Sequence, residues 1–177
     1  MIDAQAGKVV GVISDTHGLL RPEVLKIFSS INLIIHAGDI GTLETLAELQ
    51  SLAPVVAVRG NNDTGPWAKK VPETCVAQIA GARVYVLHNL KEIGVNPASA
   101  GFDVVVSGHS HRPSLQNIDG VLFLNPGSAG PRRFKLPISV ARLSVQGREV
   151  RGELIEVQDQ HGSISASSHR RSETRSR

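Results

Sequence analysis

The chain has 177 residues, of which 41% are hydrophobic and 20% are charged, a balance typical of a single globular domain. The longest nearly continuous apolar run, residues 9–13, is far shorter than the roughly 20 residues that cross a bilayer, which excludes a membrane-spanning helix. Residues 1–8 contain no apolar segment of the kind found in secretory signals, so the cytoplasm is the expected location. The single cysteine, Cys75, excludes an intramolecular disulfide and a thiolate metal cage.

The net charge of +3 lies mostly at the C-terminal end of the chain. Residues 158–177 contain four arginines and two carboxylates, a balance of +2, which leaves only +1 for residues 1–157. The six aromatic residues are not interleaved with basic ones, as a base-stacking platform would require, so we expect no specific nucleic-acid binding. The Ser-rich and Arg-rich composition of residues 158–177 predicts a flexible basic tail beyond a domain at residues 1–157.

Short apolar runs alternate with helix-like periodicity in the first half of the chain, which indicates an α/β fold. The continuous β-branched runs are typical of parallel strands buried on both faces, whereas the apolar spacing between them predicts amphipathic helices. The predicted strands are residues 9–13, 33–36 and 55–58, and the helices carry Val24, Leu25 and Phe28 and then Leu43, Leu46 and Leu49.

From residue 74 onward the pattern predicts mainly strands. Asp119-Gly120 and Gln146-Gly147 are turn signals between paired strands, and the first is a strong signal for a two-residue hairpin. We therefore predict an α/β fold in which two β-sheets pack as a sandwich flanked by helices. The strands of the second half are predicted at residues 75–80, 84–87, 104–107, 114–118, 121–124, 138–145 and 149–157.

A cluster of polar residues follows each of five predicted strands. Because ligands bind beyond the carboxyl ends of parallel strands, these clusters are expected to converge at one edge. Asp15 and His17 are two residues apart, as are His109 and His111, and an extended chain points such a pair to one side, where it can face one ion. The converging oxygen and nitrogen donors are Asp15, His17, Asp39, Asn61, His88, His109 and His111.

Seven donors are too many for one tetrahedral ion with an open position, and they indicate a site for two metal ions. Paired catalytic ions lie ~3.5–4 Å apart and can share a carboxylate, for which Asp39 is the candidate. Imidazole and carboxylate donors suit Mn, Fe, Ni, Co or Zn, and the residues alone do not select among these metals. A single Asp or Asn after a strand is more often a turn former or a helix cap, so the prediction depends on the seven donors together.

Four short motifs, in this order, resemble those of the calcineurin-like metallophosphoesterases. The resemblance is closest to the small bacterial and archaeal phosphodiesterases of that superfamily, because residues 36–39, 108–113 and 125–128 are similar to theirs. It covers roughly residues 8–157 and leaves out the tail. The motifs are Asp15-Thr16-His17 for D-x-H, Gly38-Asp39 for G-D, Gly60-Asn61-Asn62-Asp63 for G-N-x-D, and Gly108-His109-Ser110-His111 for G-H-x-H.

The resemblance implies a phosphodiesterase that uses two divalent metal ions, with manganese as the first choice. It implies that a metal-bridging hydroxide attacks a small phosphodiester, and it leaves the identity of that substrate open. The ligands that it implies are Asp15, His17, Asp39 and His111 for the first ion, and Asp39, Asn61, His88 and His109 for the second.

Two positions depart from the family pattern. His88 is followed by Asn89 and Leu90, where relatives commonly have His-Gly-His, so its assignment depends on its place after a strand. Asn62 stands where the large enzymes have a histidine that is proposed to assist the leaving group, and where the small enzymes often have a cysteine. An amide cannot donate a proton as a general acid, so the protonation of the leaving group is left open.

Other residues near the motifs are candidates for supporting roles. Asp63 resembles a carboxylate that orients a ligand histidine. Arg132 or Arg133, which follow the 125–128 segment, either flank a turn or bind the substrate phosphate, and both alternatives stay open. His36 lies within an apolar strand and is expected to be a core histidine rather than a ligand.

A non-catalytic protein-interaction scaffold on the same fold is the main alternative, because the retromer scaffold subunit is a known relative of these enzymes. A scaffold does not need a complete ligand set, and all seven ligand positions carry competent donors here, so we favour the enzyme. We expect a small phosphodiester as its binding partner and no membrane partner, and a homo-oligomer stays open.

Overall fold

The computed structural model describes residues 7–158, which form two five-stranded β-sheets. Two short α-helices, α1 (Pro22–Ile27) and α2 (Leu43–Gln50), and two 3₁₀ turns, Ala68–Lys70 and Leu90–Glu92, connect some of the strands. In chain order the strands are β1 (Lys8–Ile13), β2 (Leu33–His36), β3 (Val55–Ala57), β4 (Thr74–Ile79), β5 (Ala82–Leu87), β6 (Val104–Val106), β7 (Ser114–Ile118), β8 (Val121–Asn125), β9 (Ser139–Gln146) and β10 (Glu149–Glu156).

Each sheet has a parallel centre with antiparallel strands beside it. The first sheet has the strand order β10-β9-β1-β2-β3, and the second has the order β4-β5-β6-β8-β7. Strands β1, β2 and β3 are parallel, as their continuous apolar sequences predict, and so are β5, β6 and β8. Strands β9, β10, β4 and β7 pair antiparallel with their neighbours. The predicted arrangement of two sheets is confirmed.

The two sheets face each other across a core of buried aliphatic side chains. Val10 of β1 belongs to one cluster with Val84 of β5 and Val104 of β6, and all three are fully buried. β-branched side chains pack well on a pleated surface, and burying each one contributes about 1.5–3 kcal/mol. The core therefore fixes the two sheets relative to each other, and with them the loops that leave their carboxyl ends.

The outer faces of the sheets are covered differently. Val24 of α1 and Leu49 of α2 pack in one cluster with Ile34 of β2, so the helices cover the first sheet. The outer cluster of the second sheet is smaller and contains Val105 of β6, with the partly buried Ile93 packed against it. The predicted helical layer thus lies mainly on one side of the sandwich. No helix among residues 7–158 is long and apolar enough to cross a membrane.

The hairpin turns follow the predicted turn residues closely. Asp119 and Gly120 connect β7 to β8 with φ angles of 52° and 79°, as a type I′ turn requires. The turn between β9 and β10 is shifted by one residue from its predicted place. Gln146 still pairs with Glu149 in the ladder, so the turn residues are Gly147 and residue 148.

The predicted tail lies outside the described residues except for Gln158, and its separation from the domain stays a proposal. Val157 is 3% exposed and is the last buried apolar residue of the described chain.

We expect truncation after Val157 to leave the melting temperature nearly unchanged, because a Ser-rich and Arg-rich segment has little apolar area to bury. Thermal unfolding of the truncated and full chains measures this. Truncation after Gly152 is the matched control and should destabilise the protein, since it removes half of β10. A loss of several degrees on the first truncation would contradict the prediction.

Candidate metal centre

The loops that follow β1, β2, β5 and β6 meet at one end of the sandwich. The backbone nitrogen of His17 donates to Asp39 O at 3.0 Å, which joins the loops after β1 and β2. The backbone nitrogen of Gly108 donates to His88 O at 2.9 Å, which joins the loops after β5 and β6. The predicted convergence of polar residues at the strand ends is therefore found in the structure.

Asp15 connects the loops of the two sheets. Its Oδ2 atom accepts hydrogen bonds from Ser14 Oγ at 2.6 Å and from the backbone nitrogen of His109 at 3.1 Å. Its Oδ1 atom lies 3.2 Å from His111 Nε2, and the residue is fully buried. Sequence analysis missed the role of Ser14. The only signal for it was a hydroxyl residue directly before a predicted ligand.

Asp15, His17 and His111 form a first group of potential metal ligands, in which one ligand atom of each lies within 4.8 Å of the others. The ring centroids of His17 and His111 are 5.5 Å apart. Asp39 adjoins this group, because its Oδ2 atom is 3.9 Å from His17 Nε2. The structure thus brings together the four residues predicted for the first ion.

Asp15, Asp39 and His88 form a second group, in which His88 Nε2 is 3.5 Å from Asp39 Oδ2. The ring of His109 stands edge-on to that of His88 at 5.1 Å, and its Nδ1 atom is 3.1 Å from Asn61 Oδ1. The four residues predicted for the second ion are therefore neighbours. Asp39 adjoins both groups, as predicted for a shared ligand. Asp15 also belongs to both, whereas sequence analysis placed it at the first ion alone.

The donor atoms of this centre are suited to divalent cations. Four buried atoms make no hydrogen bond with the described residues: Asp15 Oδ1, His17 Nε2, His88 Nε2 and His111 Nδ1. A buried polar atom without a partner costs about 1–3 kcal/mol, so a concentration of them is unfavourable unless a ligand satisfies them. Imidazole nitrogen and carboxylate oxygen are the donors that divalent transition metals take. The residues present therefore fit the metal ions that the sequence predicts.

The backbone of the centre adopts left-handed conformations. A residue other than glycine in this region costs on the order of 1–3 kcal/mol, and such residues cluster at functional sites. The assumption of an extended chain around Asp15 and His17, and around His109 and His111, was wrong. Asp15 and His17 still share one group, but His109 and His111 lie in different parts of the centre. The positive φ angles are 55° at Asp15, 47° at His17, 53° at Asp39, 67° at His109 and 58° at His111.

Two glycines of the motifs are required by close packing against the candidate ligands. A Cβ atom on Gly60 would overlap Asp39 Oδ1, and a Cβ atom on Gly108 would overlap Ser14 Oγ. Any side chain at these positions would displace the Asp39 carboxylate or the hydroxyl that holds Asp15. The glycines of the G-N-x-D and G-H-x-H motifs are thus explained by the placement of their neighbours.

The charges at Asp39 and His88 influence each other. Burial raises the pKa of Asp39, but the contact with His88 and two hydrogen bonds from Asn62 outweigh it and hold this pKa well below its usual range. Burial lowers the pKa of His88, but Asp39 and the carbonyl of Ala37, 2.7 Å from Nδ1, raise it overall. Asp39 is therefore an anion at neutral pH and can balance the charge of a bound cation.

His36 is a satisfied core histidine, as predicted. It is fully buried, and its Nε2 atom lies 2.9 Å from Thr16 Oγ1. The Thr16 hydroxyl donates its proton to Ile40 O at 2.8 Å, so His36 Nε2 is the donor in their contact. Its Nδ1 atom accepts from the backbone nitrogen of Gly38 at 3.2 Å, and burial lowers its pKa to about 4. His36 thus supports two loops as a neutral ring and cannot reach a substrate.

Asn62 and Asp63 hold the segment after β3 against the other loops. Asn62 donates to Asp39 Oδ1 through its backbone nitrogen at 2.9 Å and to Asp39 Oδ2 through Nδ2 at 2.7 Å. Asp63 accepts hydrogen bonds from the backbone nitrogens of Gly41 and Gly60, both at 2.8 Å. Asp63 therefore orients two backbone loops and not a ligand histidine, which corrects the role that the resemblance implied.

Two side chains of residues 125–128 hold the loops of the centre in place. Asn125 Nδ2 donates to Gly108 O at 2.7 Å, and Ser128 Oγ donates to Asp15 O at 3.0 Å. Both side chains are buried and use these bonds to hold the backbone of candidate ligand loops. For this segment the structure favours the turn over a loop that binds phosphate.

Arg132 and Arg133 lie on an exposed loop near the centre. Arg132 Nη1 donates to Leu136 O at 3.4 Å, within its own loop. The side chain of Arg133 makes no hydrogen bond or ion pair with residues 7–158, and its backbone carbonyl accepts from the backbone nitrogen of Leu136 at 3.3 Å. It acts on His17, whose pKa is lowered mainly by burial and further by the positive charge of Arg133. A phosphate-binding role for either arginine stays a prediction.

The fold and the site define a class: a two-sheet α/β protein that gathers aspartate, asparagine and histidine at its strand ends as a candidate metal centre. Residues 9–148 match the family model described as the calcineurin-like phosphoesterase superfamily domain. The chain belongs to this superfamily, which confirms the resemblance found in its motifs.

Three comparisons show the range of its relatives. A probable metallophosphoesterase of Methanothermobacter thermautotrophicus is 35% identical over 162 residues, which cover 83% of this chain and 91% of the relative. A phosphodiesterase of Methanocaldococcus jannaschii is 29% identical over 165 residues, which cover 83% of this chain and 99% of the relative. The solved structure of Vps29 from Chaetomium thermophilum has a TM-score of 0.75 at 24% identity, with 88% of this chain and 92% of that one covered. This last similarity shows the fold alone.

Proposed function

We propose that the protein is a dinuclear metal-dependent phosphodiesterase that hydrolyses a small phosphodiester. The observation that carries the proposal is the concentration of unpaired buried donor atoms around Asp15 and Asp39. Membership of a phosphoesterase superfamily and similarity to a protein named a phosphodiesterase support the type of reaction.

Asp39 is the proposed shared ligand, since it adjoins both ligand groups. Manganese is our first choice of metal, and Fe, Ni, Co and Zn suit the same donors. The proposed ligands of the first ion are Asp15, His17, Asp39 and His111, and those of the second are Asp39, Asn61, His88 and His109.

Two bound ions would lower the pKa of an attacking water and neutralise the phosphoryl oxygens during in-line displacement. The role of the protein's own residues is to hold the donor atoms in place. Ser14 Oγ fixes the Asp15 carboxylate through Oδ2, so its Oδ1 atom remains directed at the centre. The Ala37 carbonyl accepts a hydrogen bond from His88 Nδ1, which leaves Nε2 as the atom that can bind a metal.

A protein-interaction scaffold remains the competing proposal, because the same fold occurs in Vps29. A Vps29 of Entamoeba histolytica has been solved with zinc, so a metal site alone does not distinguish the two proposals. The matching phosphoesterase family model and the relatives named a metallophosphoesterase and a phosphodiesterase favour catalysis. We therefore favour the enzyme. Hydrolysis that depends on added metal distinguishes the two proposals.

We expect the purified full chain to bind about two transition-metal ions, since its donors form two overlapping sets. Elemental analysis after loading with manganese, at protein concentrations well above micromolar, measures this. The loaded protein should hydrolyse bis(p-nitrophenyl) phosphate, and the chelator-treated protein should not until manganese is returned. Occupancy of one ion or less would contradict the dinuclear proposal, and two ions without hydrolysis would favour the scaffold.

A further inference from the structure

A cleft of about 320 Å³ opens beside the part of the centre that we assign to the second ion. Asn61 and His88, two of the proposed ligands, form one end of its lining. The remaining lining includes charged side chains that the proposed chemistry does not use: Arg59 after β3, Glu73 before β4 and Glu92 in the second 3₁₀ turn. A phosphodiester bound at the ions would place one of its two alcohol groups at this cleft.

Arg59 and Glu73 form an ion pair on one wall of the cleft. Arg59 Nη2 donates to Glu73 Oε1, and the backbone nitrogen of Arg59 donates to Pro72 O at 2.8 Å. The guanidinium therefore holds one oxygen of the Glu73 carboxylate. The other oxygen makes no hydrogen bond with residues 7–158 and can accept one from a ligand.

Glu92, which also lines the cleft, is oriented in the same way. Asn89 Nδ2 donates to Glu92 Oε1 at 2.9 Å, and Asn89 Oδ1 accepts from the backbone nitrogen of Lys91 at 3.2 Å. Asn89 thus caps the 3₁₀ turn and fixes the carboxylate at once. As at Glu73, the second oxygen of Glu92 has no partner in the described part of the chain. Two oriented acceptors therefore line the cleft.

The charges of the cleft decide which part of a substrate it accepts. One guanidinium and two carboxylates leave an excess of negative charge, which repels the phosphate of the diester and any further anionic group. A carboxylate oxygen accepts hydrogen bonds from hydroxyl groups, and such charge-assisted bonds are stronger than neutral ones. An uncharged, hydroxylated group is therefore the complement of this lining.

We infer that the cleft binds one alcohol group of the phosphodiester, and that it selects a small uncharged alcohol bearing hydroxyl groups. This inference rests on the proposed phosphodiesterase function. Glu92 and Glu73 are the specificity residues, and Asn89 and Arg59 position them. Sequence analysis gave no indication of this site, because its residues come from three separate segments without a shared motif.

The test compares two esters with the same leaving group. The manganese-loaded full chain is given 3-hydroxypropyl p-nitrophenyl phosphate and butyl p-nitrophenyl phosphate, which differ in one hydroxyl in place of a methyl group. We expect kcat/KM to favour the hydroxypropyl ester about tenfold, as one charge-assisted hydrogen bond allows. At least one of Glu92→Met and Glu73→Met should bring this ratio, taken within the variant, towards one. Glu153→Met, on the exposed edge strand β10, is the matched control and should keep the ratio.

These outcomes distinguish failure of the inference about the cleft from failure of the proposed phosphodiesterase function. No release of p-nitrophenol from either ester would overturn the phosphodiesterase function and the inference that rests on it. Hydrolysis of both esters with a ratio at or below one would overturn the inference alone. So would a tenfold ratio that survives in both Glu92→Met and Glu73→Met.

Discussion

Asp39→Ala is expected to abolish phosphodiester hydrolysis more completely than the loss of any other single proposed ligand. The Asp39 carboxylate lies 3.9 Å from His17 Nε2 and 3.5 Å from His88 Nε2, so its loss removes a donor from both proposed ion sites. Partners that merely orient a ligand are worth roughly 10–100-fold, so a ligand shared by two ions should be worth about 10³-fold or more. Rate measurements with bis(p-nitrophenyl) phosphate and elemental analysis of the loaded variant check this.

His88→Ala and Asn61→Ala are the comparison for this experiment, because each residue belongs to the second proposed ion only. These variants should retain about one ion, whereas Asp39→Ala should fall below one. Glu48→Ala, on the exposed side of α2, controls for the loss of a carboxylate and should behave like the unmodified protein. Thermal unfolding shows that each variant is folded. An equal loss of metal and activity from Asp39, His88 and Asn61 variants would contradict the shared ligand.

The fold could be predicted largely because its signals are local. Strand β2 has the predicted bounds, residues 33–36, since three consecutive apolar residues followed by a buried histidine are typical of a strand covered on both faces. Asp119-Gly120 fixed the hairpin between β7 and β8 because few residue pairs accept two positive φ angles. Helices α1 and α2 are shorter than the average helix. Tertiary packing, rather than their own sequence, therefore determines that they cover only the first sheet.

The sequence predicted which residue types form the candidate site, but it predicted less of the geometry of that site. His109 and His111 diverge because the backbone at both is left-handed, which no short motif encodes for residues other than glycine. Asp63 was assigned to a histidine, but its partners are the backbone nitrogens of Gly41 and Gly60, and a sequence does not show where backbone donors point. Contacts between distant segments, such as that of Asp15 with His109, follow from the packing of the sheets.

The second large expected effect is on the rate with different leaving alcohols, and it depends on Asn62. In-line displacement builds negative charge on the leaving oxygen, and a proton, a cation or a stable leaving group must relieve it. The Asn62 amide donates to Asp39 Oδ2 and has no acidic proton to give. His36 is fully buried with both ring nitrogens bonded, so it does not replace the missing acid. We infer that residues 7–158 give the centre no dedicated acid for the leaving oxygen.

The rate should therefore depend steeply on the pKa of the leaving alcohol. A positioned general acid is typically worth ~10²–10⁴ in rate, so alkyl esters should be slow by about that factor relative to aryl esters, beyond their intrinsic difference. A series of phosphodiesters with one constant arm and leaving groups of graded pKa measures the slope. A flat dependence in the unmodified protein would show that another group already protonates the leaving oxygen.

Asn62→His supplies an imidazole at the position where the large calcineurin-like enzymes have one, and it should flatten this slope. It also removes the hydrogen bond from Asn62 Nδ2 to Asp39, whereas the backbone bond of the same residue to Asp39 Oδ1 remains. Asn62→Ala separates the two effects, because it loses the same bond and gains no acid. We expect Asn62→Ala to lower the rates of aryl and alkyl esters by a similar factor and to keep the slope. Asn62→His should raise the alkyl rates relative to the aryl rates by about 10²-fold, the lower end of what a general acid contributes. Equal slopes in the two variants would mean that an imidazole at this position does not reach the leaving oxygen.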